Sequence, residues 1–302
     1  MLNSKKYILL SLLSISITVS AFSQIPNLSE VEVLSEVEFD NSAELYTYSY
    51  TILNGENSTE AIFRFALDIS RDSESVELDT DNLHYANEFI EVTYKNEFSN
   101  SKGEVIPIGI PTLPQYWLGL LDSRIQTIVF SGDVRNDIKP GESQDSIIIT
   151  SKGLPGIREF NAEPYINVDE FYPSEFEVNN LDSLIQVIEK DRRVASYSGQ
   201  TVGPIAPPAI FVSLDFLETL IVYKTQSCDL GWIENQGICR SLQANLDNVK
   251  RQLEQGNTQT AANNLLAFLN EVETIKDQHL SSEAYALLKY NGEYLLDKLR
   301  DK

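Results

Sequence analysis

The stretch "SCDLGWIENQGICRSLQANLDNVKRQLEQGNTQTAANNLLAFLNEVE", residues 227–273, holds both cysteines of the chain and then two segments of helical spacing. Leu242, Leu246, Val249 and Leu253 recur at steps of four, three and four, which places apolar side chains on one face of a helix. Gly256 follows, a residue suited to the left-handed position where helices often stop. Asn257 or Thr258 can then cap a second helix whose Ala261, Leu265, Leu269, Val272 and Ile275 form one stripe.

The same period extends in both directions. Upstream, "SLDFLETLIVYK" offers Ser213 as a cap, with Asp215 and Glu218 near the positive end of a helix. Downstream, Ser281 precedes Glu283 and a fourth segment with Ala284, Leu288, Leu295 and Leu299 inward, interrupted by Asn291. Four short amphipathic helices joined by tight turns predict a small antiparallel bundle over residues 213–302.

These residues carry a family resemblance. The "GI" at Gly237 and Ile238, the leucine ladder, the "GN" at Gly256 and Asn257, "AFLNEVE" from Ala267 and "EAYALL" from Glu283 resemble the FIMAH domain. The likeness implies a helical module of exported, surface-associated bacterial proteins, often following immunoglobulin-like or polysaccharide-processing domains. Most of the matching positions are core and turn residues, and the family brings no catalytic residues to carry across. Cys228 and Cys239 are a departure from its general pattern.

Export is also readable at the amino end. Lys5 and Lys6 precede the apolar run "YILLSLLSISITVSA", and Ala21 and Ser23 supply small residues, so residues 1–23 are expected to be a secretory signal peptide. Gln24, not cysteine, follows the expected cut, which leaves the lipoprotein route unsupported. The apolar run is short for a bilayer span and no second one follows, so no transmembrane anchor is expected. The expected destination is extracellular or periplasmic. In that setting two cysteines eleven positions apart predict one disulfide, Cys228–Cys239, bracing the bundle across Trp232. A redox pair would call for CxxC spacing. Metal binding by two thiolates lacks partners, since the only histidines are His84 and His279.

The 302 residues are 42% hydrophobic, which fits globular folding, and the net charge of −22 opposes nucleic-acid binding. Ahead of the bundle the period is two. In "AELYTYSYTIL", Tyr46, Tyr48, Tyr50 and Ile52 share one face, and in "AIFRFALDIS" Phe63, Phe65, Leu67 and Ile69 repeat the alternation. "EFIEVTY", "IQTIVFSG" and "DSIIITSKG" continue the series. Residues 24–168 therefore read as an antiparallel β-sandwich that resembles, by pattern, an immunoglobulin or fibronectin type III module. Residues 169–212 read as a connector partly packed on the sandwich, with "RRVASYSGQTV" a candidate strand and "GPIAPPA" extended.

A catalytic constellation is not visible. His84 and His279 stand in no nucleophile motif, and an extracellular hydrolase would need a carboxylate pair that local context does not single out. The acid-rich stretch with Asp72, Asp79 and Asp81 is a weak calcium candidate without the EF-hand order; no other cofactor is implied. For ligand binding the candidates are Tyr116 and Trp117, the Tyr46, Tyr48 and Tyr50 face, and Trp232, each weighed against a role in the core. The function expected is a secreted, non-enzymatic interaction module with an extracellular or surface protein or glycan as partner. A carbohydrate-binding or adhesive module is the alternative.

Overall fold

The computed structural model describes residues 27–69, 96–99, 105–115, 117–122, 127–132, 136–165, 190 and 194–301. The expected signal peptide lies outside them. Among these residues two five-stranded antiparallel sheets face each other and a helical bundle follows. The first sheet contains β1 (Glu32–Asp40), β2 (Leu45–Leu53), β4 (Asn96–Ser99), β5 (Val105–Thr112) and β8 (Ser143–Ser151), in the order β1-β2-β8-β5-β4. The second contains β3 (Ile62–Asp68), β6 (Leu118–Asp122), β7 (Thr127–Ser131), β9 (Leu154–Pro164) and β10 (Tyr197–Ile205), in the order β10-β9-β3-β7-β6.

Alternation makes these strands two-faced. Along β1 the side chains of Val33, Ser35 and Val37 are buried while Glu32, Leu34, Glu36 and Glu38 are exposed. Inside the sandwich Phe65 is the hub of an aromatic core, its ring 6.0 Å from Phe130, 5.9 Å from Phe160 and 6.2 Å from Tyr50. β10 pairs with β9 along its whole length, from Tyr197 opposite Ala162 to Ile205 opposite Leu154. The second sheet therefore draws on residues beyond 168 and inside the stretch expected to be a connector. Pro204 does not prevent this, because an edge strand has one side on which no ladder donor is required.

The bundle consists of α1 (Ser213–Asp229), α2 (Gln236–Glu254), α3 (Thr258–His279) and α4 (Ser282–Arg300). Gly256 has φ +74°, the left-handed exit expected after α2. The Ser281 side chain accepts from the Ala284 amide and caps α4, and Asn235 does the same for α2 through Gly237. Ser213 does not cap α1: it is already helical, and the Val212 carbonyl accepts from the Phe216 amide. Asn257 occupies the cap position of α3 without a side-chain cap bond. Gly292 admits α3 closely, since a Cβ there would stand 2.7 Å from Leu269 Cδ2.

Buried residues of sandwich and bundle form one continuous cluster, with α4 as the element that joins them. It packs on α1 and α3 on one side and on β1, β9 and β10 on the other, so it is buried nearly all round.

Candidate functional site at the sandwich–bundle junction

The junction is built around the free edge of β1. An edge strand leaves a row of backbone groups unpaired, and buried groups of that kind require partners. Glu283, in the first turn of α4, accepts from the Ser35 amide at 2.6 Å and from Ser35 Oγ at 3.4 Å. Two turns on, the Tyr290 hydroxyl donates to the Val37 carbonyl at 3.0 Å. From β10, Val202 N donates to Ser35 Oγ at 3.4 Å and Thr201 Oγ1 to the Val33 carbonyl at 3.5 Å. Asn291 Nδ2, the polar interruption in the stripe of α4, donates to the Pro155 carbonyl at 2.8 Å and to the Leu287 carbonyl at 2.9 Å. Glu283 and Tyr290 thus stand in for a strand beside β1, and Asn291 ties α4 to β9.

A second contact lies deeper. Arg158 on β9 is buried, and its Nε and Nη2 donate to the Pro204 carbonyl at 3.1 and 2.6 Å. Burial pushes its pKa down, opposed first by Asp68 and then by the nearby phenols of Tyr223, Tyr48 and Tyr50. Tyr223 comes from α1. A Cβ at Gly156 would lie 1.9 Å from Ile205 Cδ1 and 3.0 Å from the Tyr223 hydroxyl, so glycine is what lets helix and strand meet there.

The cysteine loop fixes the end of the bundle that presents Glu283. Cys228 and Cys239 are bonded, with Cα atoms 6.2 Å apart. Inside the loop, Ile233 forms a β-bridge with Leu280, the Glu234 amide donates to the His279 carbonyl at 3.2 Å, and the Ser281 amide donates to the Trp232 carbonyl at 2.8 Å. The loop between α1 and α2 is therefore laced to the link between α3 and α4. Trp232 itself is half-buried against the core.

The remaining sequence candidates fall elsewhere. Tyr46, Tyr48 and Tyr50 do not form an open ligand face; all three are buried, Tyr46 against Phe39 and Tyr290 of α4, while the Tyr48 hydroxyl donates to the Gly153 carbonyl at 2.8 Å and that of Tyr50 to Val202 O at 3.0 Å. Burial raises the pKa of both phenols. A tyrosine is stable in a core when its hydroxyl reaches a carbonyl, and here the β8–β9 turn supplies one to Tyr48 and β10 one to Tyr50. Trp117 is also buried rather than a platform, 4% exposed, and its Nε1 donates to the Asn136 carbonyl at 3.2 Å. Tyr116, His84 and the calcium candidates Asp72, Asp79 and Asp81 lie outside the described residues. Among the described residues no group of three or more His, Cys, Asp and Glu side chains is placed to hold a metal ion. Nor is any described helix long and apolar enough to cross a membrane.

Residues 224–297 match the FIMAH domain. No curated protein matches the chain. The FIMAH match begins inside α1 and ends in α4, so it takes in the cysteine loop and the α4 side chains Glu283, Tyr290 and Asn291 that bond the sandwich. On the outer side of the FIMAH region, Glu273 on α3 is held down to about 2 by the ammonium of Lys276 and the hydroxyl of Tyr285, which donates at 2.7 Å. Lys289 Nζ donates to the same hydroxyl at 2.8 Å and stands 5.1 Å from the Tyr285 ring centre.

The residues that make the junction were not singled out from the sequence. Their signals are nonetheless present: Ser35 is a polar residue at a buried parity of β1, and Asn291 breaks an apolar stripe.

Proposed function

We propose that the protein is an exported, non-enzymatic module that binds a protein at or outside the bacterial cell surface. The observation that carries this reading is the match of residues 224–297 to the FIMAH domain. The family's setting in exported, surface-associated bacterial proteins supports the destination. A disulfide within the matched region supports an oxidising compartment. The two antiparallel sheets support kinship with immunoglobulin or fibronectin type III modules, which serve widely as binding scaffolds. A protein partner is favoured over a glycan because Tyr46, Tyr48, Tyr50 and Trp117, four of the rings considered for stacking on sugars, are buried.

The test is to immobilise the chain from Gln24 onward and challenge it with the native exported protein fraction and, separately, with insoluble polysaccharide. Saturable retention of a defined protein, reproduced with that protein purified, is the expected result. Retention by polysaccharide alone would replace the reading with the adhesive one. Turnover of a polysaccharide or peptide substrate by the purified chain would remove the non-enzymatic assignment.

A further inference from the structure

Among the described residues, one corner of the junction gathers hydrogen-bond acceptors that no donor answers. Past Tyr290, α4 carries Glu293 and Asp297, four positions apart and so on one face of the helix, and both are exposed. The end of the β1–β2 hairpin brings Phe39 and Tyr46 onto α4 here: the Tyr46 ring lies 4.5 Å from that of Phe39 and 5.4 Å, edge-on, from that of Tyr290. Tyr46 is 9% exposed, but its hydroxyl bonds no group, whereas those of Tyr48, Tyr50 and Tyr290 each reach a carbonyl. Burial raises the Tyr46 pKa, and the charges that add to this come from α4, Glu293 first and then Tyr290 and Asp297, so the hydroxyl is turned toward the two carboxylates. Glu38, exposed on β1, brings a third acid beside Tyr290.

The nearby cations are committed elsewhere. Lys289 Nζ donates to the Tyr285 hydroxyl at 2.8 Å and stands 3.7 Å from Glu273, and Lys298 Nζ lies 5.4 Å from the Tyr294 ring centre. None of the three carboxylates has an ion-pair partner among the described residues. Glu293 registers the shortage: its side chain reaches solvent, but the protein around it raises its pKa by desolvation, Lys289 opposes this, and the carboxylates of Asp297 and Glu273 add to it. Carboxylates only accept, so the group that completes this corner is a positively charged donor. The corner is also aromatic, and a planar guanidinium, which forks onto carboxylates and lies against rings, suits it better than an ammonium. We propose that this corner receives an arginine side chain of the protein partner, the guanidinium donating to Glu293, Asp297 and the Tyr46 hydroxyl with half-buried Phe39 against its face. The proposal rests on the protein-binding reading above and adds the chemistry of the partner. A partner surface that presents arginine is also drawn toward a chain of net charge −22 from a distance.

The test titrates the chain from Gln24 onward with the capped tripeptide glycyl-arginyl-glycine and with its citrulline counterpart, which keeps the shape and loses the charge. With the arginine peptide, saturable changes in the magnetic resonance signals of Phe39, Tyr46 and Glu293 are expected, and the citrulline peptide binds about tenfold more weakly or worse. Glu293→Gln weakens the arginine peptide by a similar factor and Tyr46→Phe by a smaller one. Both variants unfold no earlier than the parent chain on heating, because neither group is bonded in the free protein. Glu254→Gln, an exposed acid at the far end of α2, leaves the affinity where it was. Equal binding of the two peptides overturns the proposal, as do changes spread over the acidic surface that Glu293→Gln does not reduce. Capture from the exported fraction keeps the two readings apart. A purified partner that the Glu293→Gln chain retains in full removes this site and leaves protein binding standing, whereas the absence of any retained protein removes the protein-binding reading itself.

Discussion

In the bundle each helix bonds its own backbone, and α2 and α3 ask of their neighbours mainly apolar surface: Leu242, Leu246 and Val249 from one, Leu265, Phe268 and Val272 from the other. In the sandwich each strand bonds a neighbour, and the series has ends. β1 and β10 lie at one of those ends, and there Ser35 and Val37 reach the bundle for an acceptor and a donor. The contrast assigns unequal dependence to the two halves. The bundle holds what the sandwich lacks, whereas the sandwich contributes to the bundle mainly a wall for α4.

Dividing the chain at Ser213 puts this inequality to its strongest test. Residues 213–302 alone are expected to remain helical and monodisperse by circular dichroism and light scattering, with α4 less protected from hydrogen exchange. Residues 24–212 alone expose the β1 edge and the apolar ground beneath α4, and are expected to aggregate or to fail to give a dispersed amide spectrum. A well-folded isolated sandwich would end the view of α4 as its edge cover.

The disulfide sharpens the comparison at the next level down. Replacing Cys228 and Cys239 by alanine frees a loop of about a dozen residues and is expected to cost on the order of 3 kcal/mol in denaturant unfolding. Because Trp232, Ile233 and Glu234 hold the link that leads into α4, the loss is expected to reach the sandwich too. Faster exchange of the Ser35 and Val202 amides is the local readout. Exchange confined to residues 228–239 would mean that the loop braces the bundle alone.

The bundle was legible in advance because its rule is local. A repeat of three and four, a glycine after the second helix and a serine before the fourth are enough to draw four helices, and Gly256 and Ser281 act in those roles. Ser213 did not, since the helix starts one residue earlier than that reading placed it and Val212 holds the cap position. The sandwich was legible as a class, from alternation, but not in its extent. β10 joins the sheet across a long sequence separation, and its proline and two glycines resemble those of a linker until Arg158 and Pro204 are seen to meet. The tyrosines illustrate the same limit. Alternation put Tyr46, Tyr48 and Tyr50 on one face and that face is packed, but the carbonyls of Gly153 and Val202 that receive the Tyr48 and Tyr50 hydroxyls are disclosed by no local pattern. The junction was the least legible part, because Ser35 and Glu283 are separated by 248 positions and neither carries a motif.

That pair also gives the finest test of the comparison. Glu283→Ala leaves the bundle's apolar contacts in place and removes the acceptor of a buried strand amide. An orphaned buried donor costs about 1–3 kcal/mol. If α4 serves β1 as a surrogate strand, the loss appears in global unfolding together with faster exchange at Ser35, and Glu283→Gln, whose amide oxygen can still accept, recovers much of it. The capped start of α4 should change little, because Ser281 rather than Glu283 accepts from the Ala284 amide. Were both variants equally destabilised, with exchange rising at Ala284 and Tyr285 but not at Ser35, Glu283 would be acting on its own helix through the charge at its amino end. The sandwich would then owe its edge protection to Tyr290 and to apolar cover.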